Sequence, residues 1–200
     1  GTAHPSLTAG QQMDREAYMY GVRLTKAFNN VSYKPAFTVW YDYLSGTSDD
    51  DLKNGKWSSW DTLYDTGHKY YGLQDLFLGI GGGGGKGTQG LGLQDLAIKL
   101  KMNPIAGWTL KADYHYFYTA EGMNASPIVS DVSNANSAGN DGSFLGNELD
   151  ITAVHKMNSA TKVIIGYSNF NAAQAFRALR SGTTGSDDAN WAYVQFDVKF

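Results

Sequence analysis

Of the side chains in this sequence, His68 and His115 are the ones best suited to acid–base or ligand chemistry near neutral pH. His115 lies two residues from Asp113, and Glu148 sits on a later segment of the same pattern. A histidine and carboxylates with a hydroxyl nucleophile would make a hydrolase. No serine is placed by the sequence to complete that set, so a histidine lining a polar wall is the simpler reading of His115. Asp49, Asp50, Asp51 and Asn54 have the composition of a calcium loop, but they lack its spacing and closing glutamate. The run from Gly81 to Gly85 precedes Lys86, yet no helical pattern follows it and no Ser or Thr comes directly after the lysine, as a phosphate loop requires. The chain has no cysteine, which excludes disulfides and thiolate metal sites. We therefore expect no catalytic group, no metal and no cofactor.

The charged residues belong to segments with a period of two. At the C-terminus, Ala192, Val194, Phe196, Val198 and Phe200 alternate with Tyr193, Gln195, Asp197 and Lys199. An amphipathic strand that ends on an aromatic residue resembles the close of a bacterial outer-membrane barrel. Tyr18, Tyr20, Val22 and Leu24 alternate with Met19, Gly21, Arg23 and Thr25. Residues 31–43 continue the pattern after an Asn29-Asn30 turn, and Pro35, lacking a donor, predicts a bulge or break. Further strands are expected over 95–102, 108–118, 148–153 and 163–167. His155 falls on the apolar face at a turn end.

Long and short connections alternate. Short turns lie near 29, 105 and 158, and long loops span 45–89, 120–146 and 171–189. Transmembrane barrels have this asymmetry, with short periplasmic turns and long extracellular loops. The predicted fold is all-β, an antiparallel transmembrane barrel, with residues 1–200 supplying about seven C-terminal strands of one larger barrel domain. An eighth strand at 70–78 would break the up–down parity. Seven strands leave two free edges, which hydrocarbon does not tolerate; the expected partner is the N-terminal remainder of the barrel or another chain. No signal-peptide pattern occupies residues 1–12. No run of 18 apolar residues exists, and mean hydropathy is −0.36, as expected where only alternate residues meet lipid. The net charge of −3 gives no support to nucleic-acid binding.

The polar face predicts a lumen lined by Arg23, Lys26, Lys34, Lys99, Lys101, Lys111, Lys156, Lys162 and Lys199, with Asp42, Asp95, Asp113, Glu148 and Asp150 higher up. Two readings stand. The lysines attract anions through a pore, or lysines and carboxylates pair on neighbouring strands and keep the wall polar.

Several motifs carry a resemblance. They are Tyr41-Asp42-Tyr43-Leu44-Ser45-Gly46, the block from Trp60 to Phe77 with Gly67-His68 and Gly72-Leu73-Gln74-Asp75, then Leu93-Gln94-Asp95-Leu96, Asp113-Tyr114-His115-Tyr116-Phe117 and Leu145-Gly146-Asn147-Glu148-Leu149-Asp150. In this order the chain resembles the C-terminal half of the alginate-export family of outer-membrane porins over roughly residues 31–200. The resemblance implies a large β-barrel passing solute or polymer cargo, surrounded by outer-membrane lipid, with Trp60, His68, Gly72 and Asp75 as loop-motif positions. It departs at Asp65, where Pro is expected, and in the glycine run. We expect passive passage of anionic or polyhydroxylated solutes, with loop 45–89 folding inward as a gate because Trp57, Trp60, Tyr64, Tyr70 and Tyr71 are too many aromatics for a solvated loop. The alternatives are a structural or docking barrel sheathing an electron-transfer or secretion partner, and an outer-membrane hydrolase using His115.

Overall fold

A computed structural model describes residues 13–62, 70–77, 87–122, 143–179 and 188–200. Two short strands, β1 (Asp14–Arg15) and β4 (Lys56–Trp57), pair in parallel. The remaining strands are β2 (Met19–Ala27), β3 (Ala36–Leu44), β5 (Leu93–Met102), β6 (Trp108–Tyr118), β7 (Phe144–Lys156), β8 (Thr161–Ala172) and β9 (Ala189–Val198). They form one seven-stranded antiparallel sheet in that order. The short helices α1 (Asp49–Lys53) and α2 (Gln174–Leu179) lie in the connections. Among the described residues, β2 and β9 are each paired on one side only. No helix of the described residues is long and apolar enough to cross a membrane.

Residues directly opposite in an antiparallel ladder share a face, so the register assigns both faces. Leu24, Val39, Ile98, Tyr114, Leu149 and Asn169 form one row, and Phe37, Leu100, Ala112, Ile151 and Tyr167 form another. This face is bare: Leu24 is 68% exposed, Ile98 56% and Phe196 69%. Phe117, His115, Asp95, Glu148 and Phe170 lie on the other face and are buried. One apolar face is thus turned outward over the full width of the sheet, and the polar face is covered at its loop end.

Burial of the polar face is concentrated at its loop end. Leu44, Leu93, Phe117, Leu145 and Phe170 meet Phe77 and Leu91 from the loops, and Ala175, Phe176 and Leu179 from α2. The root of loop 45–89 is tied down by hydrogen bonds. Ser45 Oγ accepts from the Tyr18 N–H and donates to the Ser58 carbonyl, and Thr47 Oγ1 accepts from the Ser58 and Ser59 N–H groups. The acidic run at 49–51 forms the first turn of α1, with Ser48 and Asp51 making a reciprocal cap.

Several expectations are corrected. Strand β3 starts after Pro35, not at Val31: Tyr33 and Lys34 adopt left-handed φ values of 65° and 45°, and the Phe28 N–H bonds to the Pro35 carbonyl to close the turn. Lys34 is therefore an exposed turn residue, not part of the wall. Lys26 pairs with Phe37 and stands on the bare face at the turn end, where its Nζ lies 5.9 Å from the Phe28 ring. Residues 70–77 form turns and bends rather than an eighth strand. Strand β7 begins at Phe144 and β8 runs to Ala172, so the second and third long loops are shorter than expected. The short turn at Asn158 does form, its side-chain oxygen accepting from the N–H groups of Ala160 and Thr161.

Candidate functional site: a capped carboxylate cluster

The register places like charges directly opposite one another at several points of the covered face. Asp42 faces Asp95, Asp113 faces Asp150, Lys101 faces Lys111, and Lys156 faces Lys162. Like charges in such positions destabilise a sheet, so each pair calls for compensation. A close guanidinium answers Asp42: Arg23 Nη2 lies 2.8 Å from its carboxylate. Arg23 also lies 3.7 Å over the Trp40 ring, and Lys99 lies 4.8 Å from the same ring, so two cations share one indole.

Asp95 is held by His115, whose Nδ1 is 2.8 Å from Oδ1. His115 Nε2 lies 3.1 Å from Lys99 Nζ, and Lys99 also donates to Asp113 at 3.1 Å. An ammonium has only donors. Nε2 must therefore accept, and Nδ1–H donates to Asp95. The chain Asp95–His115–Lys99–Asp113 is thus wired as carboxylate, neutral imidazole, ammonium and carboxylate. A nucleophilic hydroxyl would need the place on Nε2 that Lys99 occupies, so the described residues do not assemble a hydrolytic triad here.

Glu148 and Asp150 are compensated differently, by backbone. The Leu73 N–H donates to Asp150 Oδ2 at 3.1 Å, and the Gln74 N–H donates to Glu148 Oε1 at 3.0 Å. Ser168 also donates to Glu148, at 2.9 Å. Gln74 Nε2 reaches Ser168 Oγ and the Ala189 carbonyl, both at 3.1 Å. Successive N–H groups aimed at an anion require an unusual backbone, and Tyr71, Gly72 and Asp75 have φ values of 59°, 85° and 54°. Gly72 is forced for a second reason. A Cβ there would lie 2.6 Å from the Glu148 carboxyl carbon and both its oxygens. Three residues after Gln74, Phe77 inserts into an aromatic socket, 4.5 Å from Phe117, 6.1 Å from Phe170 and 5.9 Å from Phe176. Trp60 and Tyr70 pack on its margin. Tyr71 is buried beside Asp42 and Asp95, and that burial, followed by their negative charge, raises its phenol above the usual range. Segment 70–77 is thus a plug pinned by two carboxylates and one phenylalanine.

Below the plug, toward the short turns, the covered face opens. Lys101, Lys111 and Lys156 are exposed and have no ion-pair partner among the described residues. Lys162 is neutralised by Asp197 at 2.7 Å. Lys199 follows β9, its N–H bonding to the Ala160 carbonyl.

Of the residues singled out from the sequence, Arg23, Lys99, Asp42, Asp95, Asp113, Glu148 and Asp150 come together on one face with Gly72. Lys101, Lys111, Lys156 and Lys162 share that face nearer the turns. Trp60 and Asp75 lie in the described parts of the loop, while His68, Tyr64, Asp65 and the glycine run lie outside the described residues. Trp40 and Ser168 are not singled out by the sequence, and Leu73, Gln74 and Phe77 enter there only as motif positions, without a role at the site. The available signal was Phe117 and Phe170, two large aromatic side chains on the face that carries Asp95, His115 and Glu148. Such residues need an apolar cover, and Phe77 provides it.

The model of the alginate-export family matches residues 6–189 of the sequence. No curated protein and no solved structure matches the chain.

Proposed function

The chain belongs to the alginate-export family, and from that premise we propose that it forms part of an outer-membrane β-barrel conduit of a bacterial cell. The conduit passes anionic or polyhydroxylated solutes passively, without a catalytic step. One observation carries this reading: a seven-stranded sheet has an outward apolar face along its whole width, and its opposite, charged face is occupied by the chain's own plug.

The dimensions agree with a bilayer. From Ala192 to Phe200 the bare face at the end of the chain is apolar at every alternate position. Nine residues rising about 3.3 Å each, on a strand tilted by roughly 40°, span about 23 Å, close to the height of a barrel's apolar band. Lipid on that face accounts for exposed Val194, Phe196 and Val198, which water would disfavour. The edges of β2 and β9, each unpaired among the described residues, accept further strands, from the rest of a longer protein or from another chain, since open edges are not stable in hydrocarbon.

Lys101, Lys111 and Lys156 give the turn end of the lumen a positive field that draws anions toward the plug. The plug then sets the width of the path. A docking barrel sheathing a separate partner is less economical, because segment 70–77 of the same chain already fills the face. The test is single-channel conductance in a planar bilayer, with the complete protein and a variant lacking residues 57–77. The deletion is expected to raise conductance, and an unchanged conductance refutes the gate.

A further inference from the structure

The bare face changes character at one corner. Asn147 on β7, Asn169 and Asn171 on β8 and Asn190 on β9 all point outward there, Asn147 opposite Asn171 and Asn169 opposite Asn190. Asn171 donates to Asn147 and to Asn169, each at 3.1 Å. Asn169 donates to Asn190 at 3.0 Å, and the Tyr167 hydroxyl donates to the same Asn190 oxygen at 2.7 Å. Four amides and a phenol make one continuous patch across three strands. Toward the turns the same face continues as Leu149, Ile151, Ile165 and Val194.

The loop ends of other strands place tyrosines on this face, Tyr20 on β2, Tyr41 and Tyr43 on β3, Tyr116 and Tyr118 on β6. Here asparagines replace that aromatic belt. The amide nitrogens of Asn147 and Asn190 have no partner among the described residues. Such groups are costly in hydrocarbon, so this corner marks the upper limit of the apolar band and faces the headgroup layer.

The chemistry of the patch narrows its ligand. It holds no charged side chain, and toward the loop end Arg177 and Asp188 pair with each other at 3.7 Å. A phosphate would call for free Arg or Lys. Primary amides offer donors and acceptors side by side, as sugar hydroxyls do. We propose that this patch binds the neutral sugar headgroup of a glycolipid in the outer leaflet. The inference rests on the outer-membrane reading above.

The complete protein, in an amine-oxide detergent that has no sugar headgroup, is titrated with fluorescent lipopolysaccharide carrying a full core oligosaccharide and, separately, with lipid A. The core-bearing glycolipid is expected to bind at least tenfold tighter than lipid A. Asn169→Val with Asn190→Val is expected to lower the former to the level of the latter and to leave lipid A binding unchanged. Valine suits a strand, and unboiled gel mobility checks folding; the single variant Asn171→Ser serves if the double variant does not fold. Equal affinity for both glycolipids overturns the proposal, because phosphate or acyl chains would then be recognised. It is also overturned if free core oligosaccharide binds as tightly, or if the variants lose self-association instead of glycolipid. Failure of the membrane reading itself looks different: the protein would stay dispersed in buffer without detergent.

Discussion

Replacing Gly72 by alanine should release the plug while leaving the sheet intact. Two costs arise at that position. A side chain at φ 85° is strained, by roughly 1–2 kcal/mol. The new Cβ would also lie 2.6 Å from the Glu148 carboxylate, where about 3.4 Å is ordinary contact. Glu148 has no room to retreat, being fully buried and held by Ser168. The loop must therefore back away by about 0.8 Å, which stretches the 3.0 and 3.1 Å bonds from the Gln74 and Leu73 N–H groups beyond useful length. Each bond ends on a carboxylate and contributes about 1.5–3 kcal/mol. Losing half of that sum and adding the backbone strain costs the docked state about 2.5–5 kcal/mol, or roughly 70–4,000-fold in its population relative to the undocked one. Single-channel recording reads this directly as a larger open fraction or a higher mean conductance. Gly55→Ala is the control. Gly55 has a similar φ of 70°, but a Cβ there meets nothing within 4 Å, so it carries backbone strain without a clash. If Gly72→Ala conducts like the wild type and like Gly55→Ala, the plug does not limit the path and the reasoning fails.

Two further perturbations address the charges. Lys101→Glu with Lys111→Glu keeps a like-charge pair in register while reversing its sign, so stability should change little; the reversal potential in a salt gradient should move toward cation preference, and no movement would remove these lysines from the conduction path. Glu121, at the root of the second long loop, has its carboxyl raised above the usual range by burial and then by the nearby negative charge of Asp51. A raised carboxyl means that the folded protein holds its proton to higher pH than the unfolded chain does. Stability from this group is therefore fully present below the unfolded value and is lost as pH rises through the folded one. Glu121→Gln should flatten that decline in urea unfolding followed by unboiled gel mobility, and identical pH slopes for both proteins would exclude the effect.

Much of this architecture was legible in the residue order, for a simple physical reason. A strand whose two faces meet different media must alternate, so the pattern alone assigned the faces of Arg23, Lys99, Asp113, His115, Glu148 and Asp150 without knowledge of any neighbour. The family resemblance was readable from the motif block around Gly72 to Asp75. Counting failed at the margins. The charge of Lys26 points to the polar wall, but its parity and its register with Phe37 set it on the bare face. The alternation cannot be continued through Lys34, because the backbone turns left-handed at Tyr33 and Lys34, just before Pro35.

What the sequence by itself determined is the two-sided sheet, because alternation is a local property that every strand writes along its own length. The plug was decided only by tertiary structure. Residues 70–77 have no period to read, and their conformation is fixed by distant partners: Asp150 and Glu148 for the backbone N–H groups, Phe117, Phe170 and Phe176 for Phe77. Opposed carboxylates such as Asp42 with Asp95, and Asp113 with Asp150, exist only once strands are in register. The groups that neutralise them come from other strands and from a loop, so no short stretch of residues encodes the balance.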